Sequence, residues 1–88
     1  MKHAGTTALD RLEPLLARLR HIAALKERTR GVFYLRSKAF LHFHEDPAGL
    51  FADIRAENGR DFDRMQVDAE SARDELVAMA VARAGGSA

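Results

Sequence analysis

The feature that most constrains this chain is a change of hydrophobic period at Val32. From there to Asp68, apolar and polar residues alternate with a period of two, which is typical of β-strands with one buried face. Short sequences rich in turn-forming residues interrupt the alternation. The pattern therefore predicts four strands joined as an antiparallel meander, with the sequences VFYLR, KAFLHFHE, LFADIRAE and RDFDRMQV.

Two of these turn sequences set the pairing of the last three predicted strands. Asp-Pro-Ala-Gly at 46–49 predicts a four-residue loop, and Asn-Gly at 58–59 predicts a two-residue hairpin turn. Together they define one register, in which Leu41 pairs with Ile54. In the same register Asp53 lies between His42 and Arg64. A slip of one residue would exchange the two faces of every strand, so the agreement of both turns supports this register.

The register divides the predicted sheet into two faces. One face is apolar and is expected to form the core, with Leu41, Phe43, Leu50, Ala52, Ile54, Met65 and Val67. The second face mixes rings and charges in three rows: Phe40–Arg55–Phe62, His42–Asp53–Arg64 and His44–Phe51–Gln66. Three phenylalanines are too many for a solvated face, so we expect the second face to meet another surface.

Helical periodicity flanks the predicted strands. Apolar residues at three- and four-residue spacing predict a first helix over 10–29, with Asp10 and Glu13 as its capping pair and Gly31 as its stop. A second helix is predicted over 69–83, capped by Asp68. The expected fold is α+β: an N-terminal helix, a four-stranded antiparallel meander and a C-terminal helix, with both helices on one sheet face.

Length and composition restrict the class of protein. The chain has 88 residues, of which 47% are hydrophobic, and we expect one small domain over 1–88 with frayed ends at 1–9 and 84–88. No apolar run approaches the ~20 residues of a membrane helix, and the first ten residues lack the apolar core of a secretory signal. Cysteine is absent, and no glycine-rich phosphate loop is present. We therefore expect a cytoplasmic protein without a membrane segment or a cofactor.

The charges are segregated along the chain. Residues 1–44 carry nine Lys and Arg against three acidic residues, a net charge of +6, whereas residues 45–88 carry five Arg against ten acidic residues, a net charge of −5. Such a distribution suits two halves that attract each other, within one molecule or between two. It does not match the strongly basic balance that is usual for a dedicated nucleic-acid-binding protein.

Residues 42–46 contain the strongest indication of chemistry. His42 and His44 project from the same face of a predicted strand, and Asp53 lies opposite His42. Two imidazoles and a carboxylate can bind a metal ion. The alternative is a polar ladder across the strands through His42, Asp53 and Arg64. The ladder is favoured at this point because the sequence offers no clear acid or base behind the histidines.

Other candidate sites are less defined. Asp61 and Asp63 lie on one strand face, but they are interpreted as a solvated hairpin edge rather than an acid–base pair, and no catalytic residue is assigned. The first helix and the turn after it are basic and offer contacts to phosphates, which makes nucleic-acid binding an alternative function. The basic residues are Arg18, Arg20, His21, Lys26, Arg28, Arg30, Arg36 and Lys38.

One stretch of the chain carries a resemblance. The sequence FYLRSKAFLHFHEDPAGLFADIR, residues 33–55 and about a quarter of the chain, resembles a segment found in a family of small uncharacterised bacterial proteins. The resemblance implies a short stand-alone bacterial domain. It implies no activity and no site residue.

The leading functional hypothesis is a non-enzymatic interaction module that forms a homodimer through the second sheet face. An unidentified protein partner remains an alternative, as does coverage of the rings by the first helix of the same chain. A further alternative is a metal-dependent enzyme built on His42, His44 and Asp53. The predicted interface residues are Phe40, His42, Phe51, Asp53, Arg55, Phe62 and Arg64.

Overall fold

The computed structural model describes residues 1–85 as an α+β fold with one six-stranded antiparallel sheet and two helices. In chain order the elements are β1 (Lys2–His3), α1 (Thr6–Leu19), β2 (Leu25–Thr29), β3 (Val32–Leu35), β4 (Lys38–Asp46), β5 (Gly49–Arg55), β6 (Phe62–Gln66) and α2 (Glu70–Arg83). Five strands follow the order β2-β3-β4-β5-β6. The long strand β4 pairs with β3 through its first half and with β1 near its end. Two strands, β1 and β2, are therefore additional to the four that were predicted.

The predicted register of the central strands is confirmed. Leu41 pairs with Ile54, and Asp53 pairs with His42 on one side and with Arg64 on the other. The connecting loops differ from the prediction. Strands β4 and β5 remain paired up to Asp46 and Gly49, which leaves a two-residue turn, whereas the β5–β6 loop widens to residues 56–61. The register survives because each loop lengthens or shortens equally at its two ends.

The predicted first helix is wrong at both ends. Helix α1 spans Thr6–Leu19, and the last five residues of the predicted helix form β2, which pairs with β3. Leu25 and Glu27 are half-buried while Lys26 is exposed, so the segment alternates as a strand does. The prediction was wrong here because the helical spacing of the preceding leucines was extended into this short alternating segment. Gly31, with φ +81°, lies in the β2–β3 hairpin instead of ending a helix.

Neither predicted helix cap is present. Helix α1 follows Gly5 and helix α2 follows Ala69, and neither of these residues makes a side-chain capping hydrogen bond. Asp10 lies inside α1. Asp68 accepts a hydrogen bond from the backbone N–H of Leu50 at 3.0 Å. Its carboxylate therefore ties the start of β5 to the β6–α2 junction.

The chain ends are also more ordered than expected. Residues 1–9, predicted to be frayed, contain β1 and the start of α1. Ala84 is buried in the core, although it was assigned to a frayed C-terminus. Gly85 of that predicted tail is exposed, and residues 86–88 lie outside the described residues.

One core lies between the sheet and the helices. The predicted core residues Leu41, Phe43, Leu50, Ala52, Ile54 and Val67 are buried, and Met65 packs partly buried against them. The helices contribute Ala8, Leu12, Leu15, Leu16, Leu19, Leu76 and Ala80 to the same cluster. Because both helices pack into this one cluster, the opposite face of β4, β5 and β6 is not covered by a helix in the part of the chain described.

Phe40 lies in this core and not on the second face. A β-bulge interrupts the pairing of β3 with β4, since Phe33 pairs with Leu41 while Tyr34 pairs with Ala39. Phe40 is the additional residue of the bulge, and its ring is 2% exposed. The predicted placement was wrong because strict alternation assumes that no residue is inserted in the strand.

Candidate functional site

The sheet surface opposite the helices is called the open face. The register brings together the outward residues of β4, β5 and β6, which are His42, His44, Phe51, Asp53, Arg55, Phe62, Arg64 and Gln66. Six of the seven predicted interface residues belong to this set, and the exception is Phe40.

Asp53 forms the buried centre of the open face. It is 7% exposed, and it is the one buried charged residue among the residues described. Arg64 on the neighbouring strand donates from Nε to Oδ1 at 2.7 Å and from Nη2 to Oδ2 at 2.8 Å. These hydrogen bonds hold the pKa of Asp53 below its ordinary value, although burial acts in the opposite direction. Asp53 is therefore a carboxylate at neutral pH, held in one orientation by a bidentate arginine.

Two imidazoles approach the same oxygen of this carboxylate. Asp53 Oδ2 lies 3.4 Å from Nε2 of His42 and 3.2 Å from Nε2 of His44. The two rings meet edge to face with their centroids 5.1 Å apart. Burial lowers the pKa of His42 and outweighs the attraction of Asp53. The His42 ring is consequently neutral at neutral pH, with one nitrogen lone pair available.

A third imidazole, which the sequence analysis missed, lies over this group. His3 of β1 pairs with His44 of β4, and its ring stacks on the His44 ring with the centroids 4.6 Å apart and the planes inclined by 28°. The backbone N–H of Gly5 donates to the Glu45 carboxylate at 2.6 Å, which helps to hold β1 in place. A two-residue strand shows no alternation, so the only signal in the sequence was the histidine itself.

The His44 ring is held by packing and by the contact of its Nε2 with Asp53. Its Nδ1 is buried and has no hydrogen-bond partner among residues 1–85. Stacking against His3 therefore contributes to fixing its orientation. We call His3, His42, His44 and Asp53 the imidazole cluster.

An apolar patch borders the imidazole cluster. Phe62, on the edge strand β6, is 37% exposed, and its ring centroid lies 5.1 Å from that of His42. The guanidinium carbon of Arg55 lies 4.7 Å from the centroid of the Phe62 ring, in a cation–π contact. Phe51 pairs with His44 and is half-buried. The open face therefore combines rings, arginines and one carboxylate.

Several arginines of the basic stretch are engaged within the chain. Arg20 donates to the carboxylates of Glu13 and Glu27, and Arg30 also donates to Glu13 at 2.9 Å. Arg18 donates to a carboxylate of α2 at 2.8 Å. Because acidic side chains neutralise these cations, the stretch presents less positive charge than its sequence indicates.

The carboxylates of Asp61 and Asp63 have separate partners. Asp61 accepts a hydrogen bond from Nδ2 of Asn58 at 2.7 Å. Asp63 accepts one from Nη1 of Arg83 at 2.8 Å. The two side chains therefore serve the hairpin loop and the end of α2, respectively, and do not form one acid–base pair.

Two further observations bear on the class of protein. Within residues 1–85, neither helix combines the length and the apolar character needed to cross a membrane. Comparison of the chain with protein-family models, with curated proteins and with solved structures gave no significant match.

Proposed function

We propose that this chain is a non-enzymatic binding module that forms a homodimer through the open face of its sheet. The observation that carries the proposal is a sheet face without a covering helix, which exposes Phe62 at one end and carries the half-buried Phe51 at the other. Among the described residues, the only other large hydrophobic side chain that is exposed belongs to Met1. An exposed ring within an organised patch is typical of a surface that meets a partner.

The chemistry of the open face favours a second copy as this partner. The face carries aromatic rings at Phe51 and Phe62 and guanidinium groups at Arg55 and Arg64. Arg55 already stacks on Phe62 of its own chain. A copy related by a twofold axis can therefore offer a ring to Arg64 and its own Arg64 to a ring. The Arg64 side chain is 47% exposed although it is paired with Asp53, so it has surface left to contact a partner. The net charge of +1 also keeps repulsion between two copies small.

The exposed area sets the expected strength of the dimer. Burying a fully exposed phenylalanine contributes ~2–3 kcal/mol, and Phe62 retains only 37% of its surface. Because little apolar area of this ring remains to be buried, we expect a weak dimer that forms only in the high micromolar range of protein concentration.

Sedimentation equilibrium of three chains tests the proposal. We expect the wild type to be dimeric in the high micromolar range and Phe62→Asp to be monomeric, because the new carboxylate would lose its water in the interface. Ala78→Asp is the matched control, since it places the same charge at an exposed position of α2, on the helical side. It should remain dimeric. A monomeric wild type, or a Phe62→Asp variant that still dimerises, contradicts the proposal.

Nucleic-acid binding finds less support. It relied on the basic stretch, in which Arg18, Arg20 and Arg30 are bound to acidic side chains of the same chain. Phosphates would have to displace these carboxylates, so we do not adopt this alternative.

A further inference from the structure

The imidazole cluster contains the donor atoms that first-row transition metals prefer. Imidazole nitrogen and carboxylate oxygen bind ions such as Zn²⁺, whereas Mg²⁺ and Ca²⁺ prefer oxygen ligands alone. One donor atom from each of His42, His44 and Asp53 can be chosen so that all three lie within 4.8 Å of one another. These donor types and this proximity satisfy the first requirement of a metal site.

The contacts of Asp53 with the imidazoles differ in length from its contacts with Arg64. Charge-assisted hydrogen bonds between nitrogen and oxygen are ~2.7–2.9 Å long, and the Arg64 contacts with Asp53, at 2.7 and 2.8 Å, have that length. The contacts of His42 and His44 with Asp53 are longer, at 3.4 and 3.2 Å. Two ligands bound ~2.0–2.1 Å from one tetrahedral ion lie ~3.3 Å apart. The separations between each imidazole nitrogen and the carboxylate oxygen therefore match those of neighbouring ligands. The arginine contacts have the length of hydrogen bonds.

The supporting structure is rigid. His42 and His44 lie two residues apart on β4, and Asp53 lies on the paired strand β5, so hydrogen-bonded backbone holds all three. Arg64 orients the carboxylate, as hydrogen-bonding partners behind metal ligands do. A carboxylate oxygen has two lone pairs, so Oδ2 can accept from Arg64 and still coordinate an ion. The positive charge of Arg64 opposes any cation, which favours ions that bind imidazole strongly.

We propose that His42, His44 and Asp53 bind one divalent first-row transition-metal ion per chain, with Zn²⁺ as the reference ion. The site goes beyond the proposed dimerisation, because all three ligands belong to one chain. Three protein ligands leave at least one coordination position free for water or another small ligand. The exposed ring of His3, stacked on His44, borders the site.

Calorimetric titration of the purified chain with Zn²⁺ tests the site. We expect saturable binding of one ion per chain and no comparable binding of Mg²⁺. Removing the hydrogen-bonding partner of a metal ligand already weakens binding about 10–100-fold, so loss of a ligand should weaken it at least about 100-fold in His44→Ala and in Asp53→Asn. His21→Ala is the matched control, because His21 is exposed and is not part of the cluster. It should bind Zn²⁺ as the wild type does.

A second measurement on the wild type avoids dependence on the folding of the variants. In NMR spectra, Zn²⁺ should shift the imidazole signals of His42 and His44 and leave those of His21 unchanged. The proposal is overturned by absence of saturable Zn²⁺ binding, by one ion per two chains, by ligand variants that bind like the wild type, or by Zn²⁺ shifts confined to His21. Its outcome is separate from that of the dimer, because the stoichiometry per chain is measured whether or not the chain associates.

Discussion

Gly49, the first residue of β5, has no room for a side chain. Its φ of +144° is strained for any residue with a Cβ, and a Cβ at this position would collide with the side chains of Asp68 and Gln66. Gly59, in the next loop, has φ +76° but open space around it. Substitution at Gly59 therefore introduces backbone strain alone, whereas substitution at Gly49 adds a steric collision.

We expect Gly49→Ala to lower the free energy of unfolding more than Gly59→Ala. Both variants incur backbone strain of ~1–3 kcal/mol. Gly49→Ala must in addition displace the Asp68 carboxylate from the Leu50 N–H. Urea unfolding of both variants checks the order, and an equal or reversed order would show that the turn relaxes freely.

At the scale of elements, the Asp68 carboxylate strengthens the connection between β5 and the end of β6, beside the backbone hydrogen bond from the Val67 N–H to the Leu50 carbonyl. Its Oδ2 accepts from Nε2 of Gln66 at 2.7 Å and from the N–H of Leu50 at 3.0 Å. The hydrogen bond from Gln66, followed by that from Leu50, holds the pKa of Asp68 below its ordinary value of 3.8, against the effect of burial. The carboxylate form is therefore the form that stabilises the fold.

This lowered pKa predicts a specific dependence of stability on pH. The contribution of Asp68 is complete above pH 3.8, the ordinary pKa of the group, and it is lost as the pH falls below that value towards the folded-state pKa. Asp68→Asn should therefore be less stable than the wild type at neutral pH, and the difference should shrink in acid. Urea unfolding at a series of pH values measures this difference. A gap that stays constant with pH would mean that the charge of Asp68 is not involved.

At the scale of the whole molecule, the segregated charges meet within one chain. Arg18 on α1 donates to Asp74 on α2 at 2.8 Å and lies 3.6 Å from Glu70. Arg11 lies 3.8 Å from Asp68. These pairs are largely exposed, and such pairs contribute little individually to stability. The attraction between the basic and acidic halves of the chain therefore acts partly between the two helices. The buried core contributes most of the stability.

The shared core leads to a prediction for large-to-small variants. Leu41 and Ile54 pair across β4 and β5 and are fully buried, so Leu41→Ala or Ile54→Ala should each cost ~2–5 kcal/mol. Small domains are stable by only ~5–15 kcal/mol, so the melting temperature should fall markedly. Leu25→Ala is the matched control, because Leu25 is only partly buried and its loss should cost less. Variants of Leu41 and Ile54 that melt like Leu25→Ala would contradict this account of the core.

Sequence alone determined the pairing of β4, β5 and β6 and the division of their residues into two faces. The physical reason is local: alternation assigns each side chain to a face, and the two turn sequences leave one register in which most apolar residues share a side. The approach of His42, Asp53 and Arg64 follows from that register. For the same reason, most of the candidate site was predictable without knowledge of the rest of the fold.

Tertiary structure alone decided three other features. Residues 25–29 became a strand because β3 offers them an edge to pair with, whereas helical spacing upstream concealed their alternation. Phe40 moved into the core because pairing with β3 inserts a bulge. His3 joined the histidines of β4 because a two-residue strand gains its hydrogen bonds only from β4. Each depends on which segment the chain pairs with, and neither the helical spacing upstream of β2 nor the alternation within β4 reveals that choice.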